Sequence, residues 1–269
     1  MTEIKKTLAI LEARWPEVTL IAGLHILGML SNKLFRAAKP DLARTWVLLY
    51  MAFSFLIMII SIILYLGFLR TVYLEGQKHQ SPLVLLRIGK HFFWRMVGFG
   101  LLWGLVYLIL AWLIFLITKQ LTSIDTGFFE TAKVAPLVYQ LCFIAAMLIL
   151  IKPFLFIPAL IIVLDCGVFG SFKFFKQFKL SDAKELAVLF CVQIASTSLW
   201  AFLPKLGEAK TISQYIWGVI PSIVPYFIGF VVSVMAVRFV ASLDLLYDNL
   251  PASLDLEDLR KYSNRDLKE

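Results

Sequence analysis

Lys152 lies inside Met147-Leu-Ile-Leu-Ile-Lys-Pro-Phe-Leu-Phe-Ile-Pro158, with apolar residues on both sides. An ammonium group at mid-bilayer costs at least ~2.5–3.5 kcal/mol on insertion scales, so it needs a partner or an aqueous cavity. The adjacent Pro153 has no backbone N–H, which would leave the carbonyl of Ile149 without its helical donor and create a local polar pocket. The chemistry on offer is an intramembrane site for an anion or headgroup, or a proton relay. The structural alternative is a lysine that snorkels from a kink towards the interface.

A second set is Lys173, Lys176 and Lys179 in Phe172-Lys-Phe-Phe-Lys-Gln-Phe-Lys179, where lysines interleave with phenylalanines. Rings in the acyl boundary and ammonium groups on anionic headgroups suit a helix lying in the membrane interface. The alternative is an extension of the preceding span with ordinary basic flanks. Asp165, Asp244 and Glu75 each follow an apolar run, as solvated ends or as ion-pair partners of Arg238, Arg70 or Lys173. His25, His79 and His91 show no HxxxH or HExxH spacing, and Cys142, Cys166 and Cys191 show no CxxC. GxSxG, P-loop and GxGxxG patterns are also missing. The expectation is therefore no catalytic, cofactor-binding or metal-ligating residues, and no enzyme.

The elements that must position these residues are long apolar runs over 45–69, 96–118, 134–164, 184–203 and 215–243. Sixty per cent of the chain is apolar, against ~45–50 % in soluble domains. Backbone polar groups in hydrocarbon must be satisfied internally, by helices or closed barrels. Barrel strands alternate in polarity, and runs such as Ala52 to Leu64 do not. The fold class is all-α, a polytopic transmembrane helical bundle over residues 1–248, followed by a short cytoplasmic tail, 249–269.

Charge sets the threading. A further run, Trp15 to Leu30, rises only about 24 Å against a core of roughly 30 Å. If it spans, the N-terminus, the 70–95 and 165–184 segments and the tail from Arg238 share one side. That side then holds most of the 26 lysines and arginines, as the positive-inside rule requires. Six spans with both termini cytoplasmic is the expectation, and five spans the alternative. The start of the chain lacks a signal peptide's layout, with Glu12, Arg14 and Glu17 where its apolar region belongs. The net charge of +8 is spread over loops beside the spans. It forms no contiguous nucleic-acid footprint.

Local signals refine this picture. The 134–164 run is too long for one straight span, and Pro153 and Pro158 predict a kink or break; Pro221 and Pro225 predict a bend in the last span. Ser81-Pro82 reads as the cap and first turn of an amphipathic helix through Leu83, Leu86, Arg87, Lys90 and Trp94. Gly100-Leu-Leu-Trp-Gly104 is a GxxxG match, expected to seat a neighbouring helix of the same chain rather than a dimer partner.

Two stretches carry a family resemblance. One is Gly67-Phe-Leu-Arg70 with Glu75-Gly76, the amphipathic 82–95 segment and a long span. The other is Pro158-Ala-Leu-Ile-Ile-Val-Leu-Asp-Cys-Gly-Val-Phe-Gly-Ser171, leading into the basic-aromatic stretch and another span. Over roughly 45–243 the chain resembles a broad group of uncharacterised six-helix bacterial membrane proteins. That group includes the membrane domain of glycerophosphoryl diester phosphodiesterases. Members with the phosphodiesterase name carry catalysis in a separate soluble domain, which the sequence does not contain. The resemblance implies a fold and a bacterial inner-membrane address, and no active residues.

The leading functional expectation is a non-enzymatic envelope protein: a scaffold, an accessory subunit of a membrane protein partner, or a factor handling anionic lipids at the cytoplasmic face. The alternative is a small transporter or channel with a site near Lys152. An intramembrane lipid enzyme would need a nucleophile or an acid/base pair that the sequence does not offer.

Overall fold

A computed structural model describes residues 2–37, 44–122, 150–175, 183–202 and 220–242. The described residues form eight helices and no strand: α1 (Glu3–Ala13), α2 (Trp15–Ala37), α3 (Arg44–Glu75), α4 (Pro82–Thr122), α5 (Ile151–Leu164), α6 (Val168–Phe175), α7 (Lys184–Phe202) and α8 (Ile220–Ala241).

Local chemistry sets the ends of these helices. Thr2 caps α1, its hydroxyl accepting from the Lys5 N–H. Gly76, at φ +60°, stops α3 in the left-handed conformation that glycine adopts without a Cβ penalty. Ser81 Oγ accepts from the Val84 N–H at 3.4 Å and Pro82 opens α4, the cap and first turn read from the sequence. The amphipathic 82–95 segment and the following span form one helix of 41 residues, about 60 Å long at 1.5 Å per residue.

Three helical stretches are long and apolar enough to cross a membrane: Leu49–Glu75, Pro82–Gln120 and Ile223–Ala241. The pair Lys152–Leu164 and Val168–Phe174, bent by 107°, makes a fourth if it counts as one broken span. The all-helical membrane class is thus present, and the expected count of about six goes beyond what these residues display. The helix that carries the first apolar run extends past Leu30 to Ala37, 23 residues in all, about 35 Å, but it is not one of the stretches apolar enough to cross a membrane.

The core is built around α5. Phe156, Ile157, Leu160, Ile161 and Ile162 are fully buried, and α3, α4, α6 and α8 pack around them. A helix that is apolar on every side belongs in such a place. By contrast α4 turns Leu101 (72 % exposed), Leu105, Leu108 and Trp112 outward. An apolar stripe of that kind calls for lipid as its solvent.

Two local expectations meet this packing. Helix α5 begins at Ile151, after Leu150 in a non-helical turn conformation, next to the kink or break expected around Pro153. Pro153 sits in the first turn of α5, where no N–H is needed, and the helix runs on through Pro158. The sharp turn falls after Leu164, where Asp165 takes a left-handed conformation at φ 50°. At the GxxxG pair no described atom lies within 4 Å of a Cβ at Gly100 or Gly104. Among the described residues the close crossing lies between α3 and α4. A Cβ at Gly67 would collide with the backbone of Leu85, and one at Gly89 with the carbonyl of Ile63. Residues 134–149 and the tail lie outside the described residues.

Candidate functional site

One end of the bundle collects the charged residues. Helix α1 lies across it: Ile4 N–H donates to Glu185 at 3.3 Å, and Arg238 pairs with Glu3 at 3.3 Å while donating to Thr7 at 3.4 Å. The N-terminus, the α3–α4 turn, the α5–α6 turn and the end of α8 therefore meet there, the grouping that the charge pattern predicts for one side of a membrane.

At the joint between α1 and α2, Arg14 is fully buried and Glu17 is 5 % exposed. The Arg14 guanidinium bonds to the Glu17 carboxylate, donates to Thr71 Oγ1 at 2.8 Å and lies 4.5 Å from the centre of the Phe68 ring. Glu17 in turn accepts from the Gln80 backbone N–H, and Gln80 donates its side-chain amide to Glu75. Burial pulls the Arg14 guanidinium below its ordinary range, against the opposing charge of Glu17. Desolvation on this scale is repaid only by a nearly complete set of partners. Nη1 alone finds no acceptor among the described residues. The cluster thus pins the chain's first turn to the α3–α4 hairpin.

A second cluster closes the end of α5. Arg70 donates through Nη1 to the carbonyls of Ile162 at 2.5 Å and Val163 at 3.0 Å, two of the oxygens a helix C-terminus leaves unpaired. Its guanidinium lies 5.5 Å from the Phe92 ring centre, and Arg95 approaches the same ring. Asp165 bonds to Arg95 and lies 2.9 Å from His91 Nε2. Burial would raise the Asp165 pKa, but the bonds from His91 and Arg95 outweigh it and hold the carboxyl below its ordinary value of 3.8. Asp165 thus pairs with Arg95 rather than with Arg70, Lys173 or Arg238, the partners the sequence offered. Glu75 meets Lys78 at 3.5 Å, and Asp244 lies outside the described residues.

Beyond the turn, α6 leaves Phe169 81 % exposed and also exposes Phe172, while Ser171 is buried. Lys173 is exposed beside them. Lys176 and Lys179 lie outside the described residues. Lys152 occupies the first turn of α5, half-buried. It is not brought together with Lys173, and it does not line the cavity found between α2, α3, α7 and α8.

Sequence reasoning took Arg14 and Glu17 only as charges that break a signal-peptide layout, and His91 only as a histidine without metal spacing. The first two stand three residues apart at the edge of an apolar run, a spacing that places both on one helical face; that was the available signal. His91 has no such mark. Among the described residues no group of three His, Cys, Asp or Glu side chains is placed to hold a metal ion.

No family model matches the chain, and no curated protein or solved structure is similar to it.

Proposed function

We propose that this is a non-enzymatic, multi-pass protein of the bacterial inner membrane that engages anionic lipid headgroups at its cytoplasmic face. The observation that carries the reading is the 107° turn into α6. It sets Phe169 and Phe172 outward beside Lys173 at the charged end of the bundle. Exposed rings next to a lysine are the groups an amphipathic helix uses at the acyl boundary. Each basic residue near an anionic surface contributes about 1 kcal/mol.

The gathering of basic segments at one end supports six spans with both termini cytoplasmic, by the positive-inside rule. The resemblance to six-helix bacterial membrane proteins points the same way. Its two stretches are joined physically, since Arg70 of the first donates to Ile162 and Val163 of the second. A membrane protein partner fits the same reading, as an assembly held at this end.

The test is lipid retention. The full chain is placed in discs of phosphatidylcholine doped with phosphatidylglycerol, and the co-purifying lipid is quantified by mass spectrometry. Enrichment of phosphatidylglycerol that falls several-fold in the triple variant Lys173→Gln, Lys176→Gln, Lys179→Gln is expected. Equal enrichment in the wild type and the variant would overturn the reading.

A further inference from the structure

Midway along the bundle, away from the charged end, a cavity of about 250 Å³ opens between α2, α3, α7 and α8. Its polar lining is His25, Ser61, Tyr65, Gln193, Tyr226 and Ser233. These residues are scattered through the sequence, yet each stands near the middle of its helix. The four helices bring them together at the depth where a bilayer offers no hydrogen bonds.

Polar side chains at that depth are costly and mark binding sites or pathways by default. Part of the lining is internally paired. The Tyr65 hydroxyl lies near Ser233, and that of Tyr226 near Ser61. Ser233 donates to the Gly229 carbonyl at 3.0 Å, and Ser61 donates to that of Ile21 at 3.4 Å. The rings of His25 and Tyr226 stack 4.1 Å apart, 14° from parallel, and form a flat wall. Gly229 makes room for the Gln193 amide, since a Cβ there would come within 2.5 Å of Nε2.

The volume lies just below the ~300–1,000 Å³ of drug-sized pockets, and far above the ~30 Å³ share of one water. The lining carries hydroxyls, an amide and an imidazole, and no lysine, arginine, aspartate or glutamate. An anion or cation entering it would lose its hydration without a countercharge. A hydroxyl group would find acceptors in the serine and tyrosine oxygens, and an amide that can both donate and accept in Gln193.

We infer that this midplane cavity is a binding site for a small uncharged polyhydroxyl group. Either a free polyol or the hydroxyl end of a neutral lipid supplies that chemistry. The inference is independent of the lipid-headgroup reading, which concerns the α5–α6 turn and α6.

The test uses the full chain in discs of phosphatidylcholine with three probes: erythritol, dioctanoylglycerol and inorganic phosphate. Retention is measured by equilibrium dialysis for the solutes and by native mass spectrometry for the lipid. Saturable retention of erythritol identifies a free polyol, and retention of dioctanoylglycerol identifies a lipid source. Either should fall at least tenfold in Gln193→Leu, which keeps the volume and removes the amide. Gel filtration checks folding, and Ser61→Ala, which removes a single hydroxyl, serves if Gln193→Leu does not fold; the expected loss there is several-fold. Retention of neither neutral probe, retention unchanged by the variants, or phosphate held as well as the neutral probes would each overturn the assignment.

Discussion

Arg70 reaches across 92 residues of chain to donate through Nη1 to the carbonyl oxygen of Ile162 at 2.5 Å. This bond and its neighbour to Val163 act as the cap that α5 lacks in its own sequence. The arginine serves as a bolt between the α3–α4 hairpin and the buried helix.

Arg70→Met keeps much of the apolar stem and removes both donors. Hydrogen bonds to a charged group contribute about 1.5–3 kcal/mol each, so the variant should lose several kcal/mol. Thermal unfolding of the full chain in detergent measures this. A melting temperature within a degree of wild type would show that water or lipid replaces the cap at no cost.

The two glycine pairs give opposite expectations. Gly67→Ala and Gly89→Ala place a methyl group into opposing backbone and force α3 and α4 apart. The cost of such overpacking is about 1–3 kcal/mol or more. Gly100→Ala and Gly104→Ala meet no described atom within 4 Å and should leave stability unchanged or slightly raised. The same melting assay, run on all four, separates the crossing from the sequence motif.

Those glycines also show how far the sequence was legible. The length of the apolar runs identified helices α3, α7 and α8 closely, because burial in lipid needs nothing more than apolar residues, whereas α4 joins the 82–95 segment and the 96–118 run that read as two. GxxxG spacing marked Gly100 and Gly104, which meet no described atom, and gave no sign of the α3–α4 crossing. Gly67 and Gly89 lie on different helices, and no spacing within one strand of sequence reveals that they face each other. The charged end was half-legible. The clustering of basic residues followed from the positive-inside pattern, but the individual pairs, such as Arg95 with Asp165, depend on the turn after Leu164. The cavity was not legible at all, since its lining comes from single polar residues on four helices.

The buried pair makes a prediction about coupling. Arg14→Met alone strands the Glu17 carboxylate and should cost about 3–5 kcal/mol, whereas Arg14→Met with Glu17→Gln should cost less than the single change. A double-mutant cycle by thermal or denaturant unfolding checks the sign. Additive losses would mean that the two side chains act separately.

Asp165 gives the pH dependence. Its folded pKa lies below its unfolded value, near 3.8, so its contribution is complete above about pH 4 and is lost as pH falls through the folded value. Unfolding temperatures measured from pH 7 down to 3 should therefore drop in the wild type only near the acid end. In Asp165→Asn, which still tolerates the left-handed backbone, this part of the drop should disappear and stability at pH 7 should be lower. An identical acid limb in both proteins would remove Asp165 from the account.

The span of chain between Arg70 and its acceptors fixes an order of events during synthesis. At ~5–20 residues per second, the oxygens of Ile162 and Val163 arrive roughly 5–20 s after the arginine. Until then the guanidinium has to wait at the membrane surface, with water or headgroups as its partners. Arg238 and Thr7, 231 residues apart, meet later still. Helix α1 is therefore fastened in two stages: Arg14 at its end is held once Thr71 and the α3–α4 turn have been made, and its contact with α8 forms only after α8 has followed.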